Sequence, residues 1–222
     1  KLLGKEAGLY LKKVLKNGDI IAVTGGTTMA QVPKSMNYTS GYEKVIVTPG
    51  RGSLGEKVEI QSNTVAVELA AKLRAKYKLL YIPDNLGTDA MESVVNEPGI
   101  KDVIDTIKKA DILLHGIGGA EEMAIRRGLP EEEIRKILDR GAVAEAFGYY
   151  FNNEGEVVYT TTSVGLSIKD LKNIRTVIAI AGGRSKAPAL RSFLKFHTPA
   201  VFITDEGAAR GLLEIEGGNK IE

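Results

Sequence analysis

The sequence predicts an α/β fold, a Rossmann-like, mostly parallel sheet with helices on both faces and an inserted β-hairpin. Three observations point there. Short, nearly continuous apolar runs recur along the 222 residues and end in glycine or a polar group, the pattern of strands buried on both sides. Segments with a 3.6-residue apolar stripe separate them, as crossover helices between parallel strands do. One stretch breaks this alternation by placing Tyr/Phe and Val/Tyr runs on either side of Asn153-Glu154-Gly155, a hairpin signal.

The elements follow in order. LLGKEAGLYLKKVL (2–15) carries Leu3, Ala7, Tyr10, Leu11, Val14 and Leu15 on one helical face and stops at Asn17-Gly18. DIIAVTGG (19–26) reads as the first buried strand, and TTMAQVPKSM (27–36) as the helix after it. KVIVTPGRG (44–52), KLLYIPDN (78–85), ADILLHGIGG (110–119), TVIAIAGGR (176–184) and AVFITDEG (200–207) are the further strands. SNTVAVELAAKLRAKY (62–77), GIKDVIDTIKKA (99–110), GAEEMAIRRGLPEEEIRKIL (119–138), KAPALRSFLKF (186–196) and DEGAARGLLEI (205–215) supply the helices. FGYYFNNEGEVVYTTTSVGLSI (147–168) is the inserted hairpin. Nothing resembles a linker, a low-complexity tract or a fixed-period repeat, so a single domain over 1–222 is expected.

Bulk composition narrows the function classes. Hydrophobic residues make up 43% and charged residues 26%, and no apolar run approaches the ~20 residues of a membrane span, so a soluble, cytoplasmic protein with no membrane partner is expected. The absence of cysteine removes disulfides and thiolate metal sites, and two histidines make a zinc site improbable, so neither a metal nor a cofactor is expected. A net charge of +2 gives no nucleic-acid surface by itself. The chain opens at Lys1 inside a helical pattern, which suggests that an N-terminal part has been removed.

Ligands of an open parallel sheet collect at the carboxyl ends of its strands, so the residues just after each strand carry the chemistry. Gly25-Gly26-Thr27-Thr28 ends the first strand at a helix start. It is either a tight turn with Thr27 or Thr28 as N-cap, or a cradle whose backbone N–H groups and hydroxyls hold an anion. It lacks the Lys-Ser/Thr ending of a P-loop and the spacing of a dinucleotide fingerprint. Arg51, between Gly50 and Gly52 in the run to Gly55, can present a planar fork to a phosphate. Asp84-Asn85 and Gly87-Thr88-Asp89 are suited to sugar hydroxyls or to capping. His115-Gly116-Ile117-Gly118-Gly119 repeats the glycine-rich exit, with His115 better read as a core histidine than as a catalyst. Arg126 or Arg127 could point back to the strand ends from the next helix, and Glu145 and Phe147 place a carboxylate near an aromatic ring. Gly182-Gly183-Arg184-Ser185-Lys186 forms a second glycine-rich corner with two cations and a hydroxyl. Two such corners on one sheet edge, with Arg51 nearby, would suit a bisphosphorylated small molecule.

GDIIAVTGGTTMAQV, ADILLHGIG, AEAFGYYFNNEGEVV and VIAIAGGRSKAPALRSFL together resemble the effector-binding domain of the sorbitol-operon-regulator (SorC) family of bacterial transcription factors, over essentially the whole chain. The resemblance implies a fold related to glucosamine-6-phosphate deaminase, ribose-5-phosphate isomerase and coenzyme A transferases, without turnover. It implies the effector-sensing part of a repressor of glycolytic genes, with a phosphosugar effector, fructose 1,6-bisphosphate foremost. It further implies an upstream helix-turn-helix domain for operator DNA, and a homodimer or a tetramer of the full-length protein on DNA. Carried over by motif position, Gly25, Gly26, Thr27 and Thr28 with Arg51 and Gly52 would hold one phosphate. Lys186, beside Gly183, Arg184 and Ser185 and with Arg126, would hold the other. Glu145 would accept sugar hydroxyls and Phe147 would wall the pocket, with Gln31, Gly116 and Gly118 also counted among the ligand-binding residues. The alternative is a sugar-phosphate isomerase or deaminase of the same fold, which needs a carboxylate or histidine to move the C2 proton. A coenzyme A transferase half ranks behind it.

Overall fold

In the computed structural model, which describes residues 1–52, 57–82, 88–197 and 201–218, the chain begins with helix α1 (Leu2–Val14) and enters strand β1 (Ile20–Val23). Helix α2 (Thr27–Lys34), strand β2 (Ile46–Pro49), helix α3 (Ser62–Leu73) and strand β3 (Lys76–Tyr77) follow. Helices α4 (Thr88–Val95) and α5 (Pro98–Ile107) lead to strands β4 (Ile112–Gly116) and β5 (Gly118–Gly119), then to helices α6 (Ala120–Arg126) and α7 (Glu131–Asp139). Strands β6 (Ala142–Ala146), β7 (Tyr149–Asn152), β8 (Val157–Thr160) and β9 (Thr176–Ile180) precede helix α8 (Ala187–Phe196), strand β10 (Val201–Ile203) and helix α9 (Glu206–Gly218).

The main sheet runs β10-β9-β4-β1-β2-β3, with every pair parallel. The chain builds outward from β1 through β2 to β3, then crosses to the other side of β1 to lay down β4, β9 and β10. The strand order therefore reverses between β1 and β4, which leaves a crevice at their carboxyl ends. Side chains alternate across the sheet. Ile21, Val23, Ile112, Leu114, Ile178 and Ile180 are buried with α1, α2 and α3 on one face. Ala22, Leu113, Val177 and Ala179 pack on the other face with Phe151, Leu190 and Phe193. Burial on both faces is why these strands read as continuous apolar runs rather than as alternating ones.

Several expectations are refined. The hairpin is part of a separate antiparallel sheet, ordered β5-β6-β7-β8, because Gly118-Gly119 and Ala142–Ala146 also pair in it. At its outer turn Asn152 Oδ1 accepts the N–H groups of Glu154 and Glu156 at 2.9 and 3.0 Å. The helix expected over 119–138 is two helices, broken where Gly128 takes φ +64 ahead of Pro130. The helix expected to run to Tyr77 stops after Leu73, where Arg74 turns left-handed at φ 53. The third strand lies at Lys76–Tyr77 rather than within 78–85. Beyond it the side-chain amide of Asn63 binds Leu80, donating to its carbonyl at 3.0 Å and accepting its N–H at 3.2 Å, so a side chain replaces the ladder. Helix α4 has no counterpart among the expected elements. Among the described residues no helix is long and apolar enough to cross a membrane.

Candidate functional site

The crevice at the β1/β4 switch point is a cleft bounded by the loops after β1, β2, β4 and β9 and by one turn of the antiparallel sheet. Thr24 joins the two diverging loops: its N–H donates to Leu114 O at 3.0 Å and its Oγ1 accepts the N–H of Gly116 at 3.3 Å. Gly25 must be small, because a Cβ there would lie 2.6 Å from Ile60 O and 3.0 Å from Ser62 N. Gly26, at φ +123, occupies the N-cap of α2, and its N–H donates to Ile60 O at 2.8 Å. That left-handed backbone excludes a threonine cap, so Thr27 and Thr28 are the first two helical residues instead. The first helical bond runs from Ala30 N–H to Gly26 O at 3.0 Å. The N–H groups of Thr27, Thr28 and Met29 thus precede the helical ladder, at a helix N-terminus that favours anions. Gln61 and Ser62, at the start of α3, line the same cleft, so two helix N-termini converge there.

Four cationic side chains join them. Arg51, Arg126, Arg127 and Lys186 all line the cleft. Arg51 is buried and its backbone bridges Gly165, while its guanidinium lies across Gly148 and donates to Thr161 Oγ1 at 3.3 Å. A Cβ on Gly148 would fall on that guanidinium, so the glycine leaves the space that the arginine fills. Two carboxylates oppose the cations. Glu145 Oε1 accepts from Arg127 Nη2 at 2.6 Å, with both side chains only 4–5% exposed, and also from the N–H of Gly148. Glu122 Oε2 pairs with Lys186 Nζ at the rim, where the glutamate is 61% and the lysine 23% exposed.

Phe147 and Gly148 form the two-residue turn between β6 and β7, with φ values of +55 and +79. Positive φ at both central residues is the type I′ geometry that matches strand twist, at a steric cost for phenylalanine. The cost is offset by burial, since the Phe147 ring packs 4.3 Å from that of His115, centroid to centroid, and lines the cleft. His115 lies behind Phe147, fully buried and outside the cleft lining. Its Nδ1 donates to Gly116 O at 3.0 Å, its Nε2 has no partner, and desolvation lowers its pKa to about 3. It is a neutral core imidazole.

Of the residues expected at a ligand, Gly25, Gly26, Thr27, Thr28, Arg51, Gly52, Gly116, Gly118, Arg126, Glu145, Phe147 and Lys186 meet in this cleft. Gln31, Gly183, Arg184 and Ser185 are not in its lining. The backbone of Gln31 packs on Gly4 of α1. The N–H of Gly183 donates to Asp205 Oδ2 at 2.8 Å, Arg184 pairs with Glu214 on α9, and Ser185 is exposed. Bonds from the backbone N–H groups of Ala208 and Gly183 hold the Asp205 carboxyl below the usual range. A protein carboxylate therefore already occupies the second glycine-rich corner, which contributes only Lys186 to the cleft. Ser53, Leu54, Gly55, Asp84, Asn85 and Gly87 lie outside the described residues, as do the side chains of Thr88 and Asp89. Thr24, Gln61, Ser62 and Glu122 line the cleft without having been expected there. Gln61-Ser62 at a helix start was the available signal; Glu122 in a first turn reads as an ordinary complement to the helix dipole.

A switch-point cleft with two helix N-termini, four cationic side chains and an aromatic wall has the make-up of a small-molecule binding site. Residues 1–214 match the family described as "Putative sugar-binding domain", and the chain belongs to that family, the sugar-binding domain of SorC-family regulators. It is 45% identical over 216 residues to the central glycolytic genes regulator of Bacillus subtilis and 44% identical over 202 residues to that of Priestia megaterium. These matches cover 97% and 91% of this chain but only 64% and 59% of those proteins, so the chain spans roughly three-fifths of their length. A crystal structure of "the putative SorC family transcriptional regulator from Enterococcus faecalis" superposes with a TM-score of 0.88 at 39% identity, covering 95% of this chain and 87% of that one.

Proposed function

We propose that this domain senses a bisphosphorylated sugar, fructose 1,6-bisphosphate foremost, on behalf of a transcriptional repressor of glycolytic genes. The observation that carries this reading is the meeting of the α2 N-terminus at Thr27-Thr28 with Arg51, Arg126 and Lys186 in one cleft. One phosphate sits on the N–H groups of Thr27 and Thr28 near Arg51 and the other near Lys186 and Arg126, with Phe147 against the sugar. The kinship with the two glycolytic regulators supports the choice of effector. In the longer protein an upstream helix-turn-helix part contacts operator DNA, and dimers or tetramers transmit the signal. The sugar acts as a switch only through unequal affinity for two states, so its seat must change as it binds.

Titration calorimetry with fructose 1,6-bisphosphate, alongside thermal shift, tests this. Ligand at 100 times Kd should stabilise the fold by about 2.7 kcal/mol, and Lys186→Ala should weaken binding at least tenfold. No heat and no shift at millimolar ligand, or turnover of glucosamine 6-phosphate or ribose 5-phosphate, would overturn the reading.

A further inference from the structure

We infer that Glu122 is a built-in competitor for the ligand, a carboxylate that occupies Lys186 until a phosphate displaces it. The inference rests on the proposed phosphosugar seat. Glu122 and Lys186 are 64 residues apart in sequence, reach the cleft from different elements, and meet across its rim. Lys186 follows β9 and is tied into the wall before α8. Glu122 stands in the first turn of α6, where the helix N-terminus favours its charge.

The two carboxylates of the cleft differ in what releasing them would cost. Glu145 is enclosed with Arg127 and also accepts the N–H of Gly148, so withdrawing it would strand a buried charge. Glu122 is more than half exposed and can swing into water, where an ion pair of this kind is worth little. An incoming dianionic phosphate offers Lys186 more charge than one carboxylate does, and it cannot share the seat with Glu122 without repulsion. Uncharged sugars leave the pair intact, so Glu122 sets a threshold that favours ligands carrying a phosphate at this end.

The test measures Kd for fructose 1,6-bisphosphate by calorimetry in the unmutated domain, E122Q, K186A, the double variant, and E121Q as a control at the neighbouring carboxylate. Removing a partly exposed competitor corresponds to about a 2- to 5-fold gain in affinity. E122Q should show that gain, E121Q should stay within twofold, and the gain should vanish in the K186A background. E122A gives the same reading if E122Q does not fold. Equal or weaker binding by E122Q and E122A, or a gain that persists without Lys186, overturns the competitor while leaving the phosphosugar site in place. Failure of the unmutated domain to bind any phosphosugar overturns the site and the competitor together.

Discussion

Arg127→Met removes one partner of the Arg127–Glu145 pair and isolates its energetic role. The pair is 2.6 Å long, its side chains are 4% and 5% exposed, and Glu145 Oε1 also takes the N–H of Gly148 in the strained turn beside Phe147. Methionine keeps much of the length and volume of arginine, so the change is mainly in charge. Leaving a buried carboxylate without its cation costs about 3–5 kcal/mol. For a chain of this size each kcal/mol lowers Tm by about 2–4 °C, so a fall of about 6–20 °C is expected. The assay is thermal and urea unfolding followed by circular dichroism. Adding Glu145→Gln should return part of the loss, because the carboxamide needs no counter-charge and can still accept from Gly148. A cycle of the four proteins would then give a coupling of about 1–3 kcal/mol. A loss below about 1 kcal/mol for Arg127→Met, or strictly additive losses in the double variant, would refute the view that Glu145 is fixed by Arg127.

Other perturbations bear on neighbouring parts of the site. Gly148→Ala would place a methyl on the Arg51 guanidinium at φ +79, so it should cost about 1–3 kcal/mol in unfolding experiments and weaken phosphosugar binding by moving Arg51. Gly25→Ala would press on Ile60 O at 2.6 Å and push the start of α3 out of the cleft; calorimetry should show weaker binding with little change in cooperativity of unfolding. His115 should make the domain acid-sensitive. Its folded pKa, depressed to about 3, lies below its unfolded value, so the unfolded state binds more protons between pH 6.5 and 3. The stability it contributes is complete above about pH 6.5 and falls as pH drops through that window, by up to about 1.4 kcal/mol per pH unit. His115→Phe, which preserves a ring against Phe147 and Phe193, should flatten that part of the stability profile in urea titrations at several pH values.

The strands that sit on both faces of the core were legible because their apolar runs are unbroken, and β1, β2, β4, β9 and β10 all lie inside the runs that announce them. Local periodicity could not reveal that Asn63, distant in sequence, would replace a strand ladder at Leu80, nor that Gly118-Gly119 would pair with a second sheet rather than extend the first. The cleft was legible at the level of strand exits, since Gly25 to Thr28, Arg51 and Lys186 all stand just past a strand. At the corner from Gly182 to Ser185 the local sequence could not show that Asp205, which follows a different strand, reaches the Gly183 N–H; only the pairing of β9 with β10 brings that carboxylate there. Two glycine-rich corners of similar local chemistry thus end differently, one lining the cleft and one bonded to Asp205.

The same reasoning explains why the cleft holds two carboxylates at all. A pocket with Arg51, Arg126, Arg127 and Lys186 and no acid would repel itself and attract any small anion, so its selectivity would be poor. Burying Glu145 on Arg127 converts one cation into scaffold, holding α6 against β6 and fixing the Phe147 turn whether or not ligand is present. Glu122 at the rim would, in the proposed role, do the opposite, because its exposed pairing with Lys186 is the one an incoming anion can undo. One carboxylate therefore sets the shape of the site and the other sets what it costs to enter. On the proposed reading, that division would favour a ligand carrying a phosphate at the Lys186 end over an uncharged sugar.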